Sequence, residues 1–336
     1  MTTPPPPTTA RPFRQIDVFT AVPCQGNPLA VVLDGTGLDD ARMQRFARWT
    51  NLSETAFVLP PTDPAADYRV RIFTPGAELP FAGHPTLGTC HAWLAAGGRP
   101  KSPERIVQQC GIGLVTLRRE AAGGAPGGGR LAFAAPPLAR SAPSPSLLAK
   151  VARALGLEAA QLIAAQVLDN GPVWLGLLLD DAETVLALQP DHRALRTLGV
   201  KVGVAGLHAA DETPLLARRS NREARAFAHV AAVSASAASA GAPSAPEAAT
   251  AAAERPALEV RAFAAPIGVD EDPVTGSLNA SLAQWLIAEG HLDERYVAGQ
   301  GRCLGRDGRV HVARDAQGQV WIGGDSVTCI EGSVRL

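Results

Sequence analysis

No stretch of this 336-residue chain approaches the roughly 20 consecutive apolar residues that a helix needs to cross a bilayer. Its first twelve residues have neither the basic start nor the apolar core of an export signal, so the expected location is cytoplasmic. Charge of one sign is also missing. The 31 Lys and Arg against 32 Asp and Glu leave a formal charge of −1, which gives no electrostatic footprint for nucleic acid or an anionic membrane. Cysteine is scarce and odd in number, five in all, with no C-x-x-C pair. That argues against a disulfide framework or a structural zinc site, and free thiols are expected. The chain lacks a G-x-G-x-x-G after a strand, a P-loop, a G-x-S-x-G elbow and an H-E-x-x-H pair. Cys110-Gly111-Ile112-Gly113 stops short of a nucleotide fingerprint, so this pattern calls for neither cofactor nor metal.

What the chain does have, it has twice. Val70-Arg71-Ile72-Phe73 runs through a Pro/Gly loop to Gly83-His84-Pro85-Thr86 and a helical pattern closing on Trp93-Leu94-Ala95-Ala96-Gly97. Val260-Arg261-Ala262-Phe263 runs through a similar loop to Thr275-Gly276-Ser277 and a helical pattern closing on Trp285-Leu286-Ile287-Ala288-Glu289-Gly290. Gly26-Asn27-Pro28 and Gly171-Pro172 each lead straight into an apolar stretch. Each copy offers a strand, a loop of small and polar residues, and a helix start whose open N–H groups and dipole favour an anion. Two such ends facing each other would frame a cleft.

Composition divides the remainder. Residues 1–12, with four prolines in a row, read as a flexible tail. Residues 121–129 are dense in glycine between alternating segments and read as a loose hairpin turn. Residues 231–256 are Ala, Ser and Pro with almost no large side chain and read as a low-complexity insertion. Strand-like patterns cover residues 13–19, 29–33, 56–59, 69–73, 113–118 and 131–133, with helical spacing at 39–49 and 85–96. The second half repeats the scheme, with strands at 161–167, 173–179, 200–207, 258–263, 310–313 and 320–323. Its helices are expected at 146–155, 191–198 and 278–289. Helix is too sparse for a regular strand–helix alternation. The expected class is α+β, with an antiparallel or mixed sheet wrapped around a helix in each half. The halves are placed at 13–130 and 131–327, the first completed by the last residues, about 328–336.

Three polar groupings stand out. In Asn51-Leu52-Ser53-Glu54-Thr55, Glu54 borders an apolar strand, where desolvation would raise its pKa and suit it to proton transfer. A surface carboxylate in a turn is the commoner reading for such a residue. In Gly83-His84-Pro85, Gly83 permits close backbone approach, and His84 is open to two readings, ligand contact or helix cap. Glu271-Asp272-Pro273-Val274-Thr275-Gly276-Ser277 gathers a carboxylate and several donors before a helix, more than the N-cap role open to Thr275 or Ser277 demands. His91, one heptad past His84, is expected to pack.

Gly26-Asn27-Pro28, Asn51 to Thr55, Phe73-Thr74-Pro75, Gly83 to Gly88 and Glu271 to Ser277, in that order, resemble the phenazine-biosynthesis PhzF-like family. The resemblance runs from about residue 13 to the end, broken mainly by the Ala-rich insertion. It implies the diaminopimelate epimerase-like fold: two pseudo-symmetric halves, each a sheet curled around a central helix, with the active site between them. It also implies a homodimer without cofactor or metal, acting on a small-molecule substrate. The expected activity is isomerisation by moving a proton between carbons of a small carboxylate-bearing unsaturated amino acid or its deaminated analogue.

Carried over, Glu54 is the general acid/base, Asp272 holds the substrate amino group, and His84 lines the same pocket. Ser53, Asn27, Thr275 and Ser277 complete the lining, and the Gly83 and Gly276 loops offer N–H groups to a carboxylate. The two-base racemases of the fold use paired cysteines at these loops; here there is no thiol, and Cys90 lies about two turns past Gly83. Val274, Leu278 and the run Ala265 to Gly268 depart from the family pattern and bear on pocket shape. The alternatives are a non-catalytic small-molecule binding protein, or an epimerase or lyase on the same fold.

Overall fold

A computed structural model describes residues 9–120, 130–209 and 255–336. In Tyr68–Phe73 and Ile106–Cys110 buried positions alternate with half-exposed ones, as a sheet covered on one face requires. The first half contains β1 (Ala10–Val18), β2 (Asn27–Val32), β3 (Glu54–Leu59), β4 (Tyr68–Phe73), β5 (Glu78–Leu79), β6 (Ile106–Cys110), β7 (Gly113–Glu120) and β8 (Arg130–Ala134). They pair in the order β1-β2-β3-β4-β6-β7-β8, parallel at β2–β3 and β4–β6, antiparallel elsewhere, with β5 folded back on β4.

The second half contains β9 (Ala139–Ser141), β10 (Leu162–Asp169), β11 (Val173–Leu179), β12 (Val202–Leu207), β13 (Leu258–Ala264), β14 (Val269–Asp272), β15 (Arg295–Gln300), β16 (Gly308–Arg314) and β17 (Val320–Gly324). Its order is β10-β11-β12-β13-β15-β16-β17, again parallel at the second and fourth steps, with β14 folded back on β13. The repeat in the sequence is therefore a repeat in topology. The end of the chain returns to the first half, where β18 (Ser326–Arg335) pairs with β1; β9 extends the second sheet beyond β10, and β8 and β17 join the sheets edge to edge.

Six α-helices complete the described residues: α1 (Asp40–Thr50), α2 (Gly83–Ala95), α3 (Pro145–Leu155), α4 (Ala182–Ala187), α5 (His192–Leu198) and α6 (Gly276–Ala288). Only α2 and α6 are buried nearly all round, Gly83 to Cys90 without a break in one and Gly276 to Ala283 in the other. A helix with no polar face needs cover on every side, and each sheet supplies it by curling. One cluster holds both centres, with Leu87 and Phe133 from the first half beside Leu278 and Trp285 from the second.

The duplicated Val-Arg-x-Phe motif has a structural purpose. Arg71 lies 5.1 Å over the Phe73 ring and pairs with Glu78 on β5, while Arg261 lies 5.0 Å over Phe263 and pairs with Glu271 on β14. Each arginine thus pins the short return strand that leads to a central helix.

The structure differs from the sequence reading in places. The first strand begins at Ala10, inside the segment expected to be a tail, because Ala10 to Pro12 pair with Ser333 to Arg335. Strands β6 and β15 carry Gln, Gly or Arg among their apolar residues and gave no clear pattern, and β5 and β14 are too short to show one. The glycine-rich turn at 121–129 and nearly all of the 231–256 insertion lie outside the described residues. All five cysteines are free, with Cys90 and Cys110 buried and Cys24, Cys303 and Cys329 exposed. Among the described residues no helix is long and apolar enough to cross a membrane.

Candidate active site

The two central helices meet start to start. A Cβ placed on Gly83 would stand 2.8 Å from the Cα of Gly276 and 2.9 Å from Cζ of Phe133, and one on Gly276 would stand 2.9 Å from the Cα of Gly83. Glycine is required here for helix-to-helix contact. The cap positions, Ala82 and Thr275, make no side-chain cap, so neither helix start spends its leading N–H groups on a capping side chain. His84 does not cap either, and the Thr275 hydroxyl is turned away to a carboxylate.

That carboxylate is Asp272, the last residue of β14. Its Oδ2 accepts from the Thr275 hydroxyl at 2.6 Å, and its Oδ1 accepts from Asn27 Nδ2 at 2.9 Å and Ser53 Oγ at 3.3 Å. Donors thus reach it from both halves. Burial raises its pKa above the ordinary value, and the hydrogen bonds from Thr275, Asn27 and Ser53 pull the other way. The adjacent Glu271 is spent on Arg261, so only one of the two neighbouring acids belongs to the site.

Glu54 opens β3. Asn51, in the left-handed conformation at φ 54°, ends α1 and turns the chain so that the strand starts three residues later, level with Leu29 of the parallel β2. The Glu54 side chain is 14 % exposed, and its Oε2 lies 3.4 Å from His84 Nε2. Burial raises its pKa well above 4.5; the nearby Asp272 charge raises it further, and Lys201 lowers it. Burial drives His84 down to about 3, so its ring is neutral at physiological pH and the contact with Glu54 is no ion pair.

Asn27 Nδ2 stands beside the imidazole. Its two N–H bonds go to Asp272 Oδ1 and the Val274 carbonyl, each at 2.9 Å, and the nitrogen lies 3.3 Å from His84 Nδ1. Asn27 Oδ1, Glu54 Oε2 and His84 Nε2 are buried without a hydrogen-bond partner. Buried polar atoms ordinarily have partners, so unpartnered ones on residues of one connected cluster mark a place for a ligand.

The residues singled out from sequence are thus brought together. Asn27, Ser53, Glu54, His84, Asp272 and Thr275 form one connected group, and Gly83, Gly276 and Ser277 stand at the paired helix starts. His91 lies apart, half-buried, with Nε2 3.1 Å from the Thr328 hydroxyl. Sequence reasoning missed four contributors. Gln300 is fully buried, accepts from the Thr275 N–H and donates to the Asp272 carbonyl. Asn170 and Trp174 donate to the Ser277 carbonyl and hydroxyl, and Lys201 adds a positive field. Gln300 closes β15, whereas the last residue of the corresponding strand β6 is Cys110, so neither the repeat nor an isolated Lys signals these positions in the sequence.

The Asp272 cluster supports a first prediction. Asp272→Asn replaces an acceptor-only group by one that must aim N–H at existing donors, so stability should fall by about 1–3 kcal/mol. Removal of the like charge should also lower the Glu54 pKa, read by ¹³C NMR of labelled glutamate carboxyls. An unchanged or raised Glu54 titration would refute the coupling.

Residues 16–246 and 237–332 match the family described as phenazine biosynthesis-like protein. The chain is 31% identical over 333 residues to antisense-enhancing sequence 1 of Schizosaccharomyces pombe, covering 96% of this chain and 98% of that protein. It is 40% identical over 180 residues to trans-2,3-dihydro-3-hydroxyanthranilate isomerase of Pseudomonas aeruginosa, which is 54% of this chain and 61% of that enzyme. A phenazine biosynthesis protein of the PhzF family from Bacillus anthracis superposes with a TM-score of 0.72 over 98% of this chain and all of its own, at 22% identity, a likeness of fold.

Proposed function

The chain belongs to the phenazine biosynthesis-like family and is an isomerase of it, and we propose that it moves a proton between carbons of a small, unsaturated, carboxylate-bearing amino acid. The observation that carries this reading is the desolvated carboxyl of Glu54, set 3.4 Å from a neutral imidazole and beside an Asp272 whose hydrogen bonds come from both halves. A carboxylate with a raised pKa is a stronger base when ionised, and once protonated it can hold the proton until the second carbon takes it. In the proposed reaction Glu54 takes a proton from one carbon and delivers it to another on the same face. The negative charge that builds up between the two steps is spread through the conjugated acid and drawn towards the helix starts at Gly83 and Gly276. Asp272, anchored by Asn27, Ser53 and Thr275, receives the substrate's amino group.

A pair of thiols on opposite faces would favour inversion instead. The nearest cysteine in the helices, Cys90, is buried with its thiol pushed up to about 12, and Cys110 is buried and raised as well. Alkylation of the native protein with iodoacetamide should therefore modify exposed thiols and leave turnover intact. Loss of turnover that tracks alkylation would bring a thiol mechanism back.

The test of the reading is proton NMR in deuterated water with a panel of cyclic and acyclic unsaturated amino acids. Label appearing at a new carbon with the double bond displaced supports the proton shift. Label at the original carbon with inverted configuration would make the enzyme an epimerase, and binding without label would make it a binder for the panel.

A further inference from the structure

The site contains two carboxylates, Glu54 and Asp272, and the proposed substrate brings a third. Something must balance that charge. His84 cannot, since burial keeps it neutral down to a pKa of about 3. Two helix starts supply only about half a charge each. The cation whose field reaches both Glu54 and Asp272 is Lys201, just before β12.

The position of Lys201 is built. Its carbonyl accepts from the Leu175 N–H at 2.8 Å, which ties it to β11. Its ammonium sits 4.8 Å from the centre of the Trp174 ring, a buried indole 3 % exposed. The Trp174 N–H donates to the hydroxyl of Ser277, the second residue of α6, at 3.3 Å. Asn170, in the turn between β10 and β11, donates to the Ser277 carbonyl at 3.0 Å and leaves its buried Oδ1 without a partner. Lys201, Trp174, Ser277 and Asn170 thus form one connected group in the second half. Among the described residues no carboxylate comes within ion-pair distance of the ammonium, although Asp169, Glu54 and Asp272 all act on it electrostatically. Holding a half-buried lysine over an indole, short of every carboxylate, costs desolvation that an incoming anion would offset.

We propose that Lys201 is the counter-ion of the substrate carboxylate and a specificity-determining residue of the site. The carboxylate then lies on the Trp174–Ser277 side and the amino group on the Asp272 side, with Glu54 between them. The substrates selected are unsaturated acids, and their amides and esters are poor ligands. This rests on the proposed reading for the location of the substrate, and it does not depend on Glu54 being the base.

The experiment is titration calorimetry with two probes, 3-hydroxyanthranilate and its carboxamide, against the wild type, Lys201→Met, Lys201→Arg and Glu54→Gln. The wild type should bind the acid about tenfold or more tighter than the amide, as a charge-assisted contact implies. Lys201→Met should lose that preference at unchanged amide affinity, which also reports that the site is intact, and Lys201→Arg should retain most of it. Glu54→Gln should keep the preference. A preference that survives Lys201→Met, a wild type that does not discriminate, or a wild type that binds neither probe would each overturn the proposal. Glu54→Gln that still exchanges label with solvent would instead defeat the isomerase mechanism, whatever the acid-to-amide ratio does.

Discussion

Gly83→Ala is expected to lower the melting temperature by several degrees and to cut turnover more than its single methyl group suggests. The added Cβ would meet the Cα and carbonyl carbon of Gly276 at 2.8 and 2.9 Å and Cζ of Phe133 at 2.9 Å. None of these can yield cheaply. Two belong to the backbone of a buried helix, and the third to a fully buried ring held edge-on against Phe81 at 5.6 Å. Overpacking of this kind costs about 1–3 kcal/mol, and the better helix propensity of alanine offsets only part of it at a helix start. Forcing α2 and α6 apart also moves Glu54 and His84 relative to Asp272, and small misplacements are costly in catalysis. Gly76→Ala is the matched control, since its Cβ would find only the Thr74 hydroxyl, at 3.8 Å. If both variants melt like the wild type, the head-to-head contact is not close.

Glu54→Gln should abolish turnover and at the same time make the protein more stable. The amide has nearly the same shape and cannot act as a base, so the chemical step loses the factor of 10² to 10⁴ typical of a general acid–base group, or more. The stability gain follows from linkage. Burial and the Asp272 charge raise the folded-state pKa of Glu54 well above 4.5, so the folded protein holds this proton more tightly than the unfolded chain does. The favourable contribution is complete below the unfolded value and is lost as pH rises through the raised one. The wild type therefore carries a penalty at neutral and alkaline pH that Glu54→Gln does not. Melting temperatures of the two should converge at acid pH and separate upward through neutrality, with the variant higher. A variant less stable than the wild type at pH 8 would mean that the carboxylate is held by favourable contacts in the folded state.

The repeat was legible because both copies keep the residues that geometry demands. Arg71 and Arg261 each stack on a Phe and pin a short strand, and Gly83 and Gly276 each allow the other's approach. Glu54, His84 and Asp272 were legible as candidates from their neighbours, but their meeting depends on the pairing of two halves far apart in the chain. No local pattern carries that information. Thr275 shows the limit, since at a helix start its hydroxyl reads as a cap, whereas the structure gives it to Asp272. Lys201 and Trp174 were illegible for a similar reason: a lysine before a strand and a tryptophan within one are ordinary until the fold brings them beside Ser277. The tail was read three residues too long because its prolines hid an edge partner, β18, that lies at the other end of the sequence.

The central claim is that Glu54 carries the proton. The measurement that tests it most directly is deuterium entry from solvent into a turned-over unsaturated amino acid, followed by proton NMR for the wild type and Glu54→Gln side by side. The account predicts label at the new position with the wild type and none with the variant, while calorimetry finds the acid bound by both. Label entering at the wild-type rate in Glu54→Gln would contradict it and move the base to another residue.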